Sequence, residues 1–311
     1  MPFLWHDDPL AGLPEIAPHP GRSESSSSAL SSPPTSPIVR QIDTDVDDIL
    51  RNYRPIHSGD DTAKVLRAFV DNLSSQGLST LQSEIHATNP HQLRQLLAAG
   101  GGKQPLVTPS PNESEFAMTQ IEGSSQTAQK SLKEECLRRD GNRCVALGVI
   151  DSTAYTNMPP GERKGTKCAN TQCSYILPFA LSNIDKRNAT QTKNHETTWW
   201  ALYRYFPALK NKIGANTINQ PSNAITLISE LHREFGQFTF GFKAANEILD
   251  DPPYYTSQVP AFVIVPQEDA EVQRPDPDIL DVHMRIGRIL QLSGIGFAIR
   301  QSFARGGRPL K

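Results

Sequence analysis

The segment PSNAITLISELHREFG, residues 221–236, constrains this chain more than any other stretch. Ile228, Leu231 and Phe235 fall at i, i+3 and i+7, the spacing that sets three apolar side chains on one face of a helix. Ser222 or Asn223 is available as the N-cap and Gly236 as the stop. The helix predicted here carries His232 beside Leu231, which puts an imidazole at the edge of the buried face. From the residues alone, that imidazole is either a histidine satisfied at a core edge or a ligand, and Asn223 is either a cap or an amide with another task.

Short elements should surround it. KSLKEECLRRD reads as a helix with Leu132, Cys136 and Leu137 inward, and Gly141-Asn142 as a turn into RCVALGVI, whose Val and Ile content favours a strand. After a loop around Met158-Pro159-Pro160-Gly161, the run CSYILPF is predicted to return beside that strand as a hairpin. Trp199, Leu202 and Phe206 follow helical spacing up to Pro207 and read as core rather than as a base-stacking platform. FTFGF and AFVIV look like strands. A helix from Ile279 to Leu292, with Ile279, Val282, Ile286 and Leu290 inward, could pack on the rest or stay loose.

The first 40 residues, with the run RSESSSSALSSPPTSP, offer too little apolar surface to offset the entropy of ordering, so disorder is expected there. From Val46 to Ala99 apolar residues recur at helical spacing: Val46, Ile49 and Leu50; Val65, Ala68, Phe69 and Leu73; Leu78, Leu81 and Ile85. Three or four short helices follow. Gly100 to Gly102 end them, and QPLVTPSPNESE through EGSSQTAQ reads as a linker.

Charge is unevenly shared. Residues 128–250 hold 16 Lys and Arg against 11 Asp and Glu, whereas the whole chain is −2; a positive balance confined to the centre is what a phosphate-contacting surface needs. The four cysteines, Cys136, Cys144, Cys168 and Cys173, are separated by seven, 23 and four residues. No CxxC occurs, so neither a zinc knuckle nor a disulfide is indicated, and reduced, partly buried thiols are expected. No apolar run approaches the roughly 20 residues that span a bilayer, and the start lacks the basic and apolar regions of a secretory signal. An intracellular protein without a membrane role is expected.

The ordered set RRDGNRCVALG, CSYILPFAL, WWALYRYFP and NAITLISELHREFGQFTF resembles the HNH nuclease domains of the ββα-metal class found in uncharacterised fungal proteins. The resemblance covers residues 128–265 and implies an α+β fold. The flanks then divide into a disordered 1–40, a helical 41–101, a linker 102–127 and a C-terminal tail 266–311 with one helix. In the family the second strand reads Cys-Ala-His-Ile, an apolar residue, Pro and Phe, the His being the general base. Here Cys173-Ser174-Tyr175-Ile176-Leu177-Pro178-Phe179 matches except at that residue, where Tyr175 stands. The preceding Cys168-Ala169 looks like an interrupted copy of the same block. The family's middle Asn falls on Asn223 and its final His, a metal ligand, on His232.

By resemblance, a divalent cation such as Mg²⁺ would neutralise the scissile phosphate while a base deprotonates water. A phenol, with an unperturbed pKa of about 10, takes a proton from water poorly. Ser174 stands where many HNH proteins offer Asp or His, which leaves His232 as the one metal ligand. His195, in what reads as a solvated loop, is a weak substitute base. Lys186, Arg187 and Arg204 are candidate nucleic-acid contacts, with Lys193 and Lys210 nearby; each is equally an ordinary surface cation. The implied function is a metal-dependent endonuclease-like protein acting on nucleic acid, DNA in preference to RNA, weakened or silenced at Tyr175. The alternative is a catalytically inactive HNH-fold module that binds nucleic acid or protein. A third reading makes 46–99 the working part, recruiting a partner.

Overall fold

The computed structural model describes residues 44–89, 92–96, 126–181, 189–215, 217–242 and 271–296. All of these fall in one compact unit, residues 40–311. The strand expected at AFVIV, the disorder expected over 1–40, and the cations Lys186 and Arg187 lie outside the described residues, as does the linker expected over 102–127 except for its last two residues, which begin a helix instead.

Helical spacing located the helices well. Helix α1 spans Thr44–Asn52, α2 Thr62–Asn72 and α3 Ser75–Ala87, and Val46, Leu50, Val65, Ala68, Leu73, Leu78, Leu81 and Ile85 are all buried. Helix α4 spans Gln126–Arg139, with Leu132 and Cys136 buried. The aromatic helix α5 runs Ala189–Tyr205, immediately followed by the 3-10 turn Pro207–Leu209. It includes the stretch around His195 that the sequence suggested as a loop.

The strands require correction. RCVALGVI is not a strand with CSYILPF as its partner. Cys144 N donates to Val149 O at 2.9 Å, Gly148 N to Cys144 O at 2.8 Å, and Gly148 has φ +66°, which closes a tight loop. Its apolar residues serve packing: Cys144 and Ala146 are buried in the core. What remains extended is β1, Ile150–Asp151, paired in parallel with β2, Cys168–Ala169.

The partner of β3, Thr171–Tyr175, is β4, Ala224–Ile228, in antiparallel register from Thr171 opposite Ile228 to Tyr175 opposite Ala224. Residues 224–228, expected as the first turns of a helix, are therefore a strand. Four of the five are buried, so the strand reads as a continuous apolar run without alternation, which periodicity cannot tell from a helix. The β-branched Ile225, Thr226 and Ile228, and a ladder partner in β3, decide in favour of the strand. Helix α6, Ser229–Gly236, starts directly afterwards with Ile228 in the N-cap position, so neither Ser222 nor Asn223 caps it. FTFGF is not a strand either: Phe238 sits at φ +56°, and Phe240 and Phe242 pack on Phe235 instead.

Helix α7, Pro277–Ser293, is docked rather than loose. Asp276 caps it by accepting from Asp278 N and Ile279 N, and Gly294 ends it at φ +83°. It lies on α2, and Arg285 Nη1 donates to Asn72 O at 2.9 Å. Ile279 and Val282 join one apolar core with Val46, Leu66, Leu81, Trp199, Phe206, Leu227 and Phe235. The fold is α+β: helices around two small sheets. Among the described residues no helix is long and apolar enough to cross a membrane.

Candidate active site

The two strands β3 and β4, followed by α6, bring the sequence-predicted residues onto neighbouring elements. Asn223 lies in the 3-10 turn Pro221–Asn223 just before β4 and is fully buried. Its Oδ1 accepts from Leu177 N at 2.8 Å, while its Nδ2 donates to Leu177 O at 3.1 Å and Ile218 O at 2.9 Å. Ile176 N donates in turn to Asn223 O at 2.8 Å. The amide thus ties the chain leaving β3 to the chain entering β4, in keeping with a loop-fixing residue rather than a helix cap.

Tyr175 ends β3 opposite Ala224, next to Asn223 in the chain. Its hydroxyl donates to Asn219 Oδ1 at 2.5 Å and its ring packs on Phe179, centroids 5.5 Å apart. Burial, then the nearby thiols of Cys173 and Cys136, push the phenol well above its ordinary range. Such a group holds its proton at neutral pH, so it can donate a hydrogen bond but does not deprotonate water.

Successive strand residues face opposite ways, so Ser174 points away from Tyr175 and toward α6. Ser174 is buried, and its Oγ lies 2.8 Å from His232 Nδ1. His232 is half-buried, and burial lowers its pKa, which favours the neutral imidazole near pH 7. Strand β3 is the shared element: Tyr175 ends it opposite Ala224, Asn223 holds the chain just beyond it, and His232 reaches it from the α6 side through Ser174.

Two further groups went unnoticed in the sequence. Arg139 and Asp140 form a buried ion pair at 2.6 Å. Arg139 also donates through Nη1 to Pro221 O at 2.7 Å and through Nη2 to Ala224 O at 2.9 Å, gripping the backbone on both sides of Asn223. Asp140 Oδ2 accepts from Thr226 N at 3.1 Å. The signal was the RRDGNR run, but nothing in it names backbone partners more than 80 residues away. Asn219, the phenol's acceptor, lies in a loop without a motif.

Arg204 Nε is bonded to Glu84 on α3, and its guanidinium lies 5.2 Å over the Trp200 ring. Lys193 and Lys210 are exposed.

Residues 144–243 match the family model described as HNH endonuclease. This segment is an HNH-family domain. No curated protein and no solved structure matches the chain. HNH nucleases generally use divalent metal ions. Among the described residues, no group of three His, Cys, Asp or Glu side chains gathers closely enough to hold a metal. His232 is accompanied by a serine hydroxyl where a second strong ligand would be needed, and one imidazole with water holds a hard cation weakly. Among the described residues, the side chains around His232 do not fit a protein-held cation.

Proposed function

We propose that this chain is an HNH nuclease-like protein whose cleavage step is disabled at Tyr175, and which retains the fold to engage a phosphodiester backbone, DNA in preference to RNA. The observation that carries this reading is the engaged, proton-holding phenol at the position where the family places its general base. General-base catalysis contributes about 10²–10⁴-fold, which sets the size of the loss. The poor fit to a cation acts in the same direction. On its N-terminal side the proposed domain extends beyond the matched segment, because Arg139 and Asp140 hold β4 and the Asn223 turn.

Plasmid cleavage with Mg²⁺ or Mn²⁺ tests the first half of this. The full chain is expected to nick no faster than its His232→Ala variant. Metal-dependent nicking that His232→Ala abolishes would show an active nuclease and overturn the assignment. Tyr175→His asks how much else survives: a gain of metal-dependent cutting means the remaining groups still form a site, and continued silence means the ligand set is lost as well.

A second reading, a silent module for protein rather than nucleic acid, is favoured by one observation: Arg204, one of the candidate phosphate contacts, is occupied by Glu84. Gel-shift measurements separate the two. Phosphate contacts weaken steeply as salt rises, whereas absence of DNA or RNA binding at low salt leaves the protein-binding module.

A further inference from the structure

Two thiols to which the proposed reading gives no chemical step lie together against the hairpin. Cys136 on α4 is fully buried, Cys173 on β3 is partly exposed, both are free, and their sulfurs are 3.9 Å apart. Their spacing in the chain gave no reason to pair them; the packing of α4 on β3 does. Leu132 and Ala224 complete the buried cluster, with Cys173 and Tyr175 packed against it. A disulfide needs its sulfurs at about 2.05 Å, so closure requires an approach of a little under ~2 Å, within reach of side-chain rotation.

The surroundings also divide the roles. A hydrogen bond with Cys136, helped by the charges of Arg139 and Lys133, lowers the pKa of Cys173, while the same contact and burial raise that of Cys136. The more acidic thiol is therefore the more exposed one, the arrangement in which one sulfur meets an oxidant and the second resolves it.

We propose that Cys136 and Cys173 are a peroxide-responsive thiol pair that closes into a reversible disulfide, stapling α4 to β3 beside Tyr175. The Cys173 thiolate attacks one oxygen of hydrogen peroxide and the O–O bond breaks. Hydroxide leaves and takes up the proton lost when the thiol ionised, giving water and a sulfenic acid on Cys173. The Cys136 sulfur then attacks the sulfenic sulfur, its proton leaves with the expelled hydroxide as a second water, and the S–S bond forms. Two electrons pass from the sulfurs to the peroxide. A dithiol reductant returns both thiols.

The test uses the full chain, treated with hydrogen peroxide, blocked with N-ethylmaleimide, digested and mapped by mass spectrometry. A linked peptide pair joining Cys136 to Cys173, lost on dithiothreitol treatment, is expected, together with an oxidised protein that unfolds at higher denaturant and returns to the reduced midpoint after reduction. Cys144→Ser and Cys168→Ser should leave the link intact. Cys136→Ser should strand Cys173 as a sulfenic acid that dimedone captures. Oxidation confined to the exposed Cys168, or a Cys168–Cys173 link with Cys136 still alkylated, would overturn the proposal. Because the map of the unsubstituted chain carries the decision, poor folding of Cys136→Ser does not blunt it.

Discussion

The corner held by Asn223 and the positions held by Tyr175, Ser174 and His232 belong to one hairpin and helix, yet they have fared differently. At the corner each polar group is matched: the Asn223 amide uses both ends on Leu177 and Ile218, and Arg139 holds the carbonyls of Pro221 and Ala224 on either side. At the positions proposed for chemistry a phenol is spent on Asn219 and an imidazole on a serine. On the proposed reading, the residues that hold the hairpin are separate from those that would carry chemistry. Folding requires the corner whether or not a phosphodiester is cut, because unpaired buried backbone groups are costly in any case.

Asn223→Ala probes that separation hardest. It leaves Leu177 N, Leu177 O and Ile218 O without their partner in a fully buried site, and each such group costs about 1–3 kcal/mol. A loss of roughly 3–5 kcal/mol in denaturant unfolding is expected. A change below about 1 kcal/mol would mean that the corner is not the fold's anchor and would dissolve the contrast.

The next effect is read by pH and compares two imidazoles. His283 on α7 is buried between the rings of Phe235 and Phe238, centroids 3.9 and 4.6 Å away, with Nε2 against Phe235 O at 3.2 Å. Burial pushes its pKa from 6.5 down to about 4. The folded state therefore favours the neutral ring, and the unfolded chain binds the proton first. The stability contributed by this group is whole above pH 6.5, declines as pH falls from 6.5 toward 4, and is then flat. A shift of this size corresponds to about 3 kcal/mol. His283→Phe should flatten the slope across that window, whereas His232→Phe, at a half-buried site, should leave most of it. An unchanged slope in His283→Phe would assign the acid sensitivity elsewhere.

Legibility in the sequence follows the range of the forces involved. Helices α1, α2, α3, α5 and α7 are local objects whose apolar spacing reports their buried face, so Val46, Leu81 and Ile279 could be assigned to the core without coordinates. The hairpin is not local. Its strands are joined across residues 176–223, and β4 shows no alternation because both its faces are covered. RCVALGVI misled for the complementary reason: its valines serve packing and a tight loop rather than a ladder. At the candidate site, the resemblance in motif order is what picks out Tyr175, Asn223 and His232 as proposed site residues. The backbone grip of Arg139, the acceptor Asn219 and the approach of Cys136 to Cys173 arise only from packing between distant segments.

The smallest effect is the sharpest on chemistry. Tyr175→Phe removes the hydroxyl that donates to Asn219 and keeps the ring on Phe179. The lost hydrogen bond is worth about 1 kcal/mol, and Asn219 is left to find water or another donor. If the phenol only fills and ties the site, stability falls by that small amount, and neither metal-dependent nicking nor the salt dependence of DNA binding changes. If instead the hydroxyl takes part in cleavage, nicking by the unsubstituted chain should exceed that of Tyr175→Phe at equal folded concentration. One substitution, read by unfolding and by cleavage side by side, therefore decides whether position 175 belongs with the holding corner or with the chemistry.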